Sequence, residues 1–192
     1  MGHAVETDRH ATGALGLVEQ ALNAAGVERE QIECVAVGLG PGSYAGIRSA
    51  IALAQGWQLA REVRLLGGSS AECLAAQAQA QGWFGRVNVV IDAQRNELYL
   101  AGYEISTASR KEVEPLRLAS VGEAEARVRA GQLILGPEVT RWFPSGKVIF
   151  PEATMLGQLA AARGDFLAGE KLEPIYLRET NFVKAPTARD IP

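Results

Sequence analysis

The feature that most limits how this chain can fold is a nearly uncharged helix that directly follows a strand and a glycine turn. The pattern predicts a strand over residues 32–38, a turn over 39–43 and a helix over 44–61. Ser43 is placed to cap the helix, because its hydroxyl can accept a hydrogen bond from the first turn. Before its last residue the helix carries only one charge, that of Arg48. A helix that is apolar around most of its circumference must be covered on more than one side.

A second helix of the same kind is predicted over residues 11–25, with Glu19 as its only charge. The helix over residues 44–61 could instead be a central helix inside its own domain. Two such helices side by side, however, would form an apolar patch too large to leave in water, which favours a surface shared with another subunit. The predicted contact residues are Leu15, Val18, Leu22, Tyr44, Ile47, Arg48 and Ile51.

The order of elements predicts an α/β fold. Helix, strand, helix, strand and helix alternate up to residue 81, which indicates a parallel sheet covered by helices. Residues 87–92 and 97–105 then read as an antiparallel hairpin. A break at residues 83–86, or alternatively at 105–112, would divide the chain into two lobes. The first break gives an N-terminal lobe of residues 1–84 and a C-terminal lobe of residues 85–192.

The glycine turn also has the elements of a phosphate cradle, because a helix N-terminus offers free N–H groups and the positive end of a dipole. Its details depart from the known motifs. Gly42 is followed by Ser43 and Tyr44, and the lysine of a P-loop is absent. Gly40, Gly42 and Ala45 satisfy a variant dinucleotide fingerprint, but no ribose-binding acid follows at a strand end. A structural turn is the favoured interpretation.

Composition narrows the classes of function. The net charge of −3 argues against strong RNA binding by the chain alone. The only histidines are His3 and His10, so a zinc site is not expected, and Cys34 and Cys73 are predicted to be buried, reduced thiols. Asp92 is interpreted as a turn residue. We predict no catalytic residue, cofactor or metal.

No stretch of about 18 apolar residues suggests a membrane span, and the first ten residues do not resemble a signal peptide, so cytoplasmic localisation is expected.

Residues 40–48, Gly-Pro-Gly-Ser-Tyr-Ala-Gly-Ile-Arg, resemble the Gly-Pro-Gly-Ser-Phe-Thr-Gly-Leu-Arg signature of the TsaB family, also called YeaZ. Other similarities follow in family order. They are His10 at the start of the first helix, Gly67-Gly68-Ser69-Ser70, residues 91–99 beside Ile-Asp-Ala-Arg-Arg-x-Glu-Val-Tyr, and residues 174–178 beside Pro-x-Tyr-Leu-Arg. The resemblance covers about residues 10–178.

This resemblance implies an actin/Hsp70/sugar-kinase-like fold in two lobes and a non-catalytic role in making threonylcarbamoyladenosine on tRNA. The implied partners are the transferase TsaD, the ATPase TsaE, and a second copy of the chain through the first two helices. Contact with tRNA would be indirect. Family members begin with strands that carry an Ile-Asp-Thr-Ser-like segment. The N-terminal lobe is therefore expected to be truncated, with a bare sheet edge.

An alternative function remains open from the sequence. The chain could be an independent enzyme of the sugar-kinase-like superfamily that binds nucleotide at residues 40–43. The glycoprotease label attached to relatives of this family has no support in the sequence, because neither His-Glu-x-x-His nor His-x-x-x-His occurs.

Overall fold

The computed structural model describes residues 13–178 and contains two sheets with helices packed against them. The helices in this range are α1 (Ala14–Ala25), α2 (Tyr44–Arg61), α3 (Ser70–Ala80), α4 (Val121–Arg129) and α5 (Ala153–Ala161). The strands are β1 (Cys34–Gly40), β2 (Arg64–Ser69), β3 (Gly85–Asp92), β4 (Glu97–Ile105), β5 (Arg110–Ser120), β6 (Leu133–Gly136) and β7 (Lys147–Val148). None of the helices in this range is long and apolar enough to cross a membrane.

The first sheet consists of β1 and β2, which run parallel with Val37 opposite Gly67. The right-handed crossover expected between parallel strands is supplied here by α2. Val37, Ile51 and Leu65 lie in the core between α2 and this sheet. The prediction of a parallel pair covered by helices is confirmed.

The second sheet has the strand order β5-β4-β3-β6-β7. The predicted hairpin is present, with β3 and β4 antiparallel and Val89 opposite Ala101. α3 packs on one face of this sheet, where Leu74 meets Val87 and Leu135, and α4 packs on the other. Because β3 is covered on both faces, Val89, Val90 and Ile91 form a continuous apolar run rather than an alternating pattern.

The last part of the described chain returns to the first sheet. α5 packs against β1 and β2. Leu167 donates its N–H to the Leu65 carbonyl at 2.8 Å, and Leu172 is buried in the core beneath α2. Gln55 and Gln58 of α2 bond to the backbone of Gly169, each at 2.8 Å. The lobe boundary at residues 84/85 remains a prediction. Residues 153–172 follow this boundary in the chain, but they pack against the first sheet, whose strands precede it.

α1 is the least covered of the helices. It ends at Gly26, whose φ of 64° gives the predicted helix stop, and none of its residues is buried within the described structure. A cavity of about 730 Å³ separates it from β1 and α5. The predicted start of this helix at residue 11 and the resemblance at His10 lie outside the described residues.

Candidate partner surface

The start of α2 is set by the tight turn at residues 40–43. Gly40 has a φ of 94°, and a Cβ built there would lie 2.6 Å from Ile47 Cδ1. Glycine is therefore favoured at this position by the backbone conformation, and a larger residue would also displace the end of the Ile47 side chain. Ser43 caps the helix as predicted, because Gly46 N donates to Ser43 Oγ at 3.3 Å. These contacts give the family-like signature a structural explanation.

An aromatic and cationic cluster lies on the first turns of α2. Tyr44 is 61% exposed, and its ring centroid lies 6.0 Å from that of Tyr176. Arg48 stacks over the Tyr44 ring at 5.3 Å and donates from Nη1 to the Tyr44 hydroxyl at 3.0 Å. Hydrogen bonding to Tyr176 and Tyr44 raises the pKa of Arg48. Arg48 forms no ion pair within residues 13–178, so its charge is available to a partner.

A separate groove of about 510 Å³ lies between α1 and α2. Leu15 and Val18 form its α1 side, and Leu53 and Trp57 form much of its α2 side. Gly56 also lines it and has nothing within 4 Å of the position where a Cβ would be. The groove is therefore apolar at its base and open to solvent, as a helix-binding groove requires.

Charged side chains frame this groove. Arg29 pairs with Glu19 of α1, and Arg61 of α2 pairs with Glu30 at 2.5 Å. All four side chains are at least one-third exposed, so these pairs add little to the stability of the chain. Their arrangement is an apolar centre inside a polar rim, which is typical of protein–protein interfaces.

The structure places six of the seven predicted contact residues in three different environments. Leu15 is exposed, while Val18 and Leu22 are half-buried and line the cavity or groove beside α1. A third group, Tyr44, Ile47 and Arg48, lies at the N-terminal end of α2, with Ile47 only partly accessible.

Ile51 does not fit the predicted contact set. Its side chain is 6% exposed and packs in the core of the first sheet, so it cannot reach a partner. The sequence pattern also missed groove residues on the other half of α2, namely Leu53, Gly56 and Trp57. The apolar or small character of these residues is visible in the sequence. Because the helix is apolar around its whole circumference, the sequence does not show which of its faces is open.

The groups that could carry chemistry have structural partners. Asp92 accepts from Gln94 N at 2.7 Å and from Arg141 Nη1 at 3.2 Å, as expected of a turn aspartate. Cys34 and Cys73 are free thiols, and burial raises the pKa of both. Cys73 is buried as predicted, whereas Cys34 is only half-buried. Among the described residues, no cluster of three or more His, Cys, Asp or Glu could hold a metal ion.

Residues 5–178 match the model of a family described as TsaD, tRNA N6-adenosine threonylcarbamoyltransferase. The chain is also 30% identical over 186 residues to the tRNA threonylcarbamoyladenosine biosynthesis protein TsaB of Escherichia coli strain K12. That alignment covers 88% of this chain and 80% of the relative.

Two solved structures from Pseudomonas aeruginosa share the fold. One is YeaZ, with a TM-score of 0.75 and 27% identity, covering 90% of this chain and 87% of that one. The other is an uncharacterized protein with similarity to peptidase YEAZ, with a TM-score of 0.74 and 28% identity, covering 88% and 84%. The two sheets and their helices thus define an α/β protein of the actin/Hsp70/sugar-kinase-like class. Within that class, the chain belongs to the TsaB family.

Proposed function

We propose that the chain is a non-catalytic subunit of the machinery that makes threonylcarbamoyladenosine on tRNA. In this role it binds a TsaD-like transferase through α1 and α2 and stabilises the transferase's active form. Membership of the TsaB family supports the pathway, and the open groove between α1 and α2 supports the mode of binding. A TsaE-like ATPase would join the same assembly, tRNA would contact the chain only indirectly, and the complex would work in the cytoplasm.

The observation that carries this proposal is the exposure of apolar side chains along two neighbouring helices. Leu15 of α1 is 57% exposed and lines the groove, although its side chain would be worth about 1.5–3 kcal/mol if it were fully buried. Gly56 and Ala60 of α2 are also exposed and line the same groove. A partner helix laid in the groove would cover this surface and gain that energy.

Binding of the full-length chain to the TsaD-like subunit of the same organism, measured by calorimetry, tests the proposal. Leu15→Asp and Ala60→Asp should each weaken binding by about a hundredfold or more, because both residues are exposed and line the groove, and an unpaired charge buried in an interface costs several kcal/mol. Phe150→Asp is the matched control, because Phe150 is 60% exposed and follows β7 in the second sheet. The proposal fails if both groove variants bind as tightly as the control.

The same helices would also pair two copies of this chain when the transferase is absent. Sedimentation velocity of the chain alone should then show a dimer that Leu15→Asp disrupts. Adding the TsaD-like subunit should replace the homodimer with a heterodimer, because both partners would compete for one groove. Coexistence of the homodimer with bound transferase in one particle would contradict a shared surface.

Nucleotide binding at residues 40–43 is the second candidate, and a cleft of about 380 Å³ beside Pro41 is the observation in its favour. None of the described residues lining this cleft is lysine or arginine, and Ser43 already accepts from the Gly46 N–H of the helix N-terminus. Triphosphate recognition normally uses such cations and free N–H groups. Calorimetry with ATP and ADP should accordingly show no micromolar binding to the isolated chain.

A further inference from the structure

The segment of residues 174–178 crosses from one sheet to the other. At its first-sheet end, Ile175 donates its N–H to the carbonyl of Leu39 in β1 at 2.8 Å. The next residue, Tyr176, places its ring beside Tyr44 at the start of α2. This part of the segment is thus attached to the first sheet and its crossover helix.

The other end of the segment is attached to the turn between β3 and β4. Arg178 Nη2 donates to the Ala93 carbonyl at 3.0 Å and to Glu97 Oε2 at 2.6 Å. One guanidinium therefore bonds to both ends of the turn. Its side chain is 29% exposed, so solvent screens this contact only in part.

The turn held by Arg178 has an unusual backbone. Gln94, Arg95 and Asn96 have φ values of 64°, 55° and 61°, so three successive residues other than glycine adopt the left-handed region. Such residues are disfavoured there and persist only where surrounding contacts hold them. Asp92 supplies one such contact by accepting from Gln94 N. Arg178 supplies a second contact, from outside the hairpin and from across the cleft, that reaches the turn backbone directly.

We infer that residues 174–178 form a strap that ties the β3–β4 turn to the end of β1, with Arg178 as its positioning residue. Pro41 and Asp92 line the cleft between the two attachment points, and Pro174 and Tyr176 of the strap line it as well. The strap thus fixes the width of this cleft and holds Tyr176 against Tyr44. This inference concerns the chain alone and does not depend on partner binding.

Hydrogen–deuterium exchange of the full-length chain, followed by mass spectrometry, tests the strap. Arg178→Gln should make exchange about tenfold faster at two separate places, residues 39–47 and residues 93–98, because charge-assisted hydrogen bonds that join them are lost. Peptides from α4 should exchange as in the wild type, because α4 lies on the other face of the second sheet.

Arg141→Gln is the matched control. Arg141 also bonds to the turn, through Asp92 Oδ2 at 3.2 Å, but it lies on the second-sheet side and does not cross the cleft. Its removal should speed exchange at residues 93–98 only. The inference is overturned if Arg178→Gln leaves residues 39–47 at the wild-type rate, or if both variants speed exchange there equally.

Glu97→Gln gives a second, milder variant should Arg178→Gln fold poorly. It removes the ion pair with Arg178 and leaves the bond from Arg178 to the Ala93 carbonyl in place. We expect a smaller increase in exchange at the same two places. An increase confined to the turn would count against the strap.

Discussion

At the scale of single residues, the strongest electrostatic feature is the carboxylate of Glu114 in β5. Arg127 Nη1 donates to it at 2.6 Å and Arg117 Nη2 at 2.5 Å. These hydrogen bonds lower the pKa of the Glu114 carboxylate to about 2, and the bond from Arg127 is the largest cause. Arg127 also donates to Oδ1 of the fully buried Asn88 at 2.9 Å, so the network links β5, α4 and β3.

This network predicts a pH-dependent contribution to stability. Because the folded-state pKa of Glu114 lies below its ordinary value of 4.5, its stabilisation is present above pH 4.5 and is lost as pH falls towards 2. Glu114→Gln should lower the free energy of unfolding by about 1–2 kcal/mol at pH 7, allowing for solvent screening. Urea unfolding should show that the difference from the wild type shrinks at pH 3.

The matched control is Glu125→Gln. Glu125 pairs with Arg129 at 2.8 Å on α4, but both side chains are more than half exposed. Such a pair contributes about 0.5 kcal/mol or less, so this variant should match the wild type at both pH values. An equal loss in the two variants at pH 7 would show that the Glu114 network has no special role.

At the scale of elements, α2 shows what local sequence could and could not predict. Its start was predicted correctly, because a capping serine and a glycine turn are local signals. Its end at Arg61 also agrees with the prediction, although the residue that follows is Glu62 in the left-handed conformation and not a glycine. Which face of α2 is buried was not predicted. Which side faces inward depends on β1 and on the contact with Gly169, which lies more than 100 positions away in the chain. Ile51 is buried because it packs with Val37 and Leu65 of the first sheet and with the distant Leu172.

The same limit applies to the candidate site. Leu15 and Tyr44 were predicted as members of one contact set, whereas the structure puts Leu15 in the groove and Tyr44 in the separate cleft beside Tyr176. Hydrophobic periodicity identifies apolar helices but contains no information on how two helices are placed in space. The strand β1, Cys34–Gly40, begins and ends two residues later than the predicted strand over residues 32–38.

Two glycines of this region should respond in opposite ways to alanine. Gly40→Ala should lower the free energy of unfolding by about 1–3 kcal/mol, because φ is positive and the new Cβ would meet Ile47. Gly56→Ala should raise it by about 0.5–1 kcal/mol, because the position is helical and has open space around it. Thermal unfolding compares both with the wild type, and a shift of the same sign in both would contradict this account.

At the scale of the whole molecule, the free charge of Arg48 makes a prediction about association. Arg48→Gln should slow association with the TsaD-like subunit severalfold at low salt and leave dissociation nearly unchanged, because an exposed interface charge acts mainly on encounter. Surface plasmon resonance in low and high salt measures both rates. High salt should remove the difference.

Arg129→Gln provides the comparison for that experiment. It removes the same charge from α4, where the side chain is 71% exposed and lies outside the proposed surface. Association should be unaffected beyond the small change in net charge. If the two variants slow association equally, the effect comes from total charge rather than from the position of Arg48.

The return of residues 153–172 to the first sheet has a consequence for biosynthesis. Leu172 completes the core that contains Ile51 and Leu65, yet it is made more than 100 residues after them. While the polypeptide is still emerging from the ribosome, the inner side of α2 therefore lacks its final cover. This part of the core is therefore synthesised well before it can be completed, and in the interval its apolar side is open to aggregation or to chaperones.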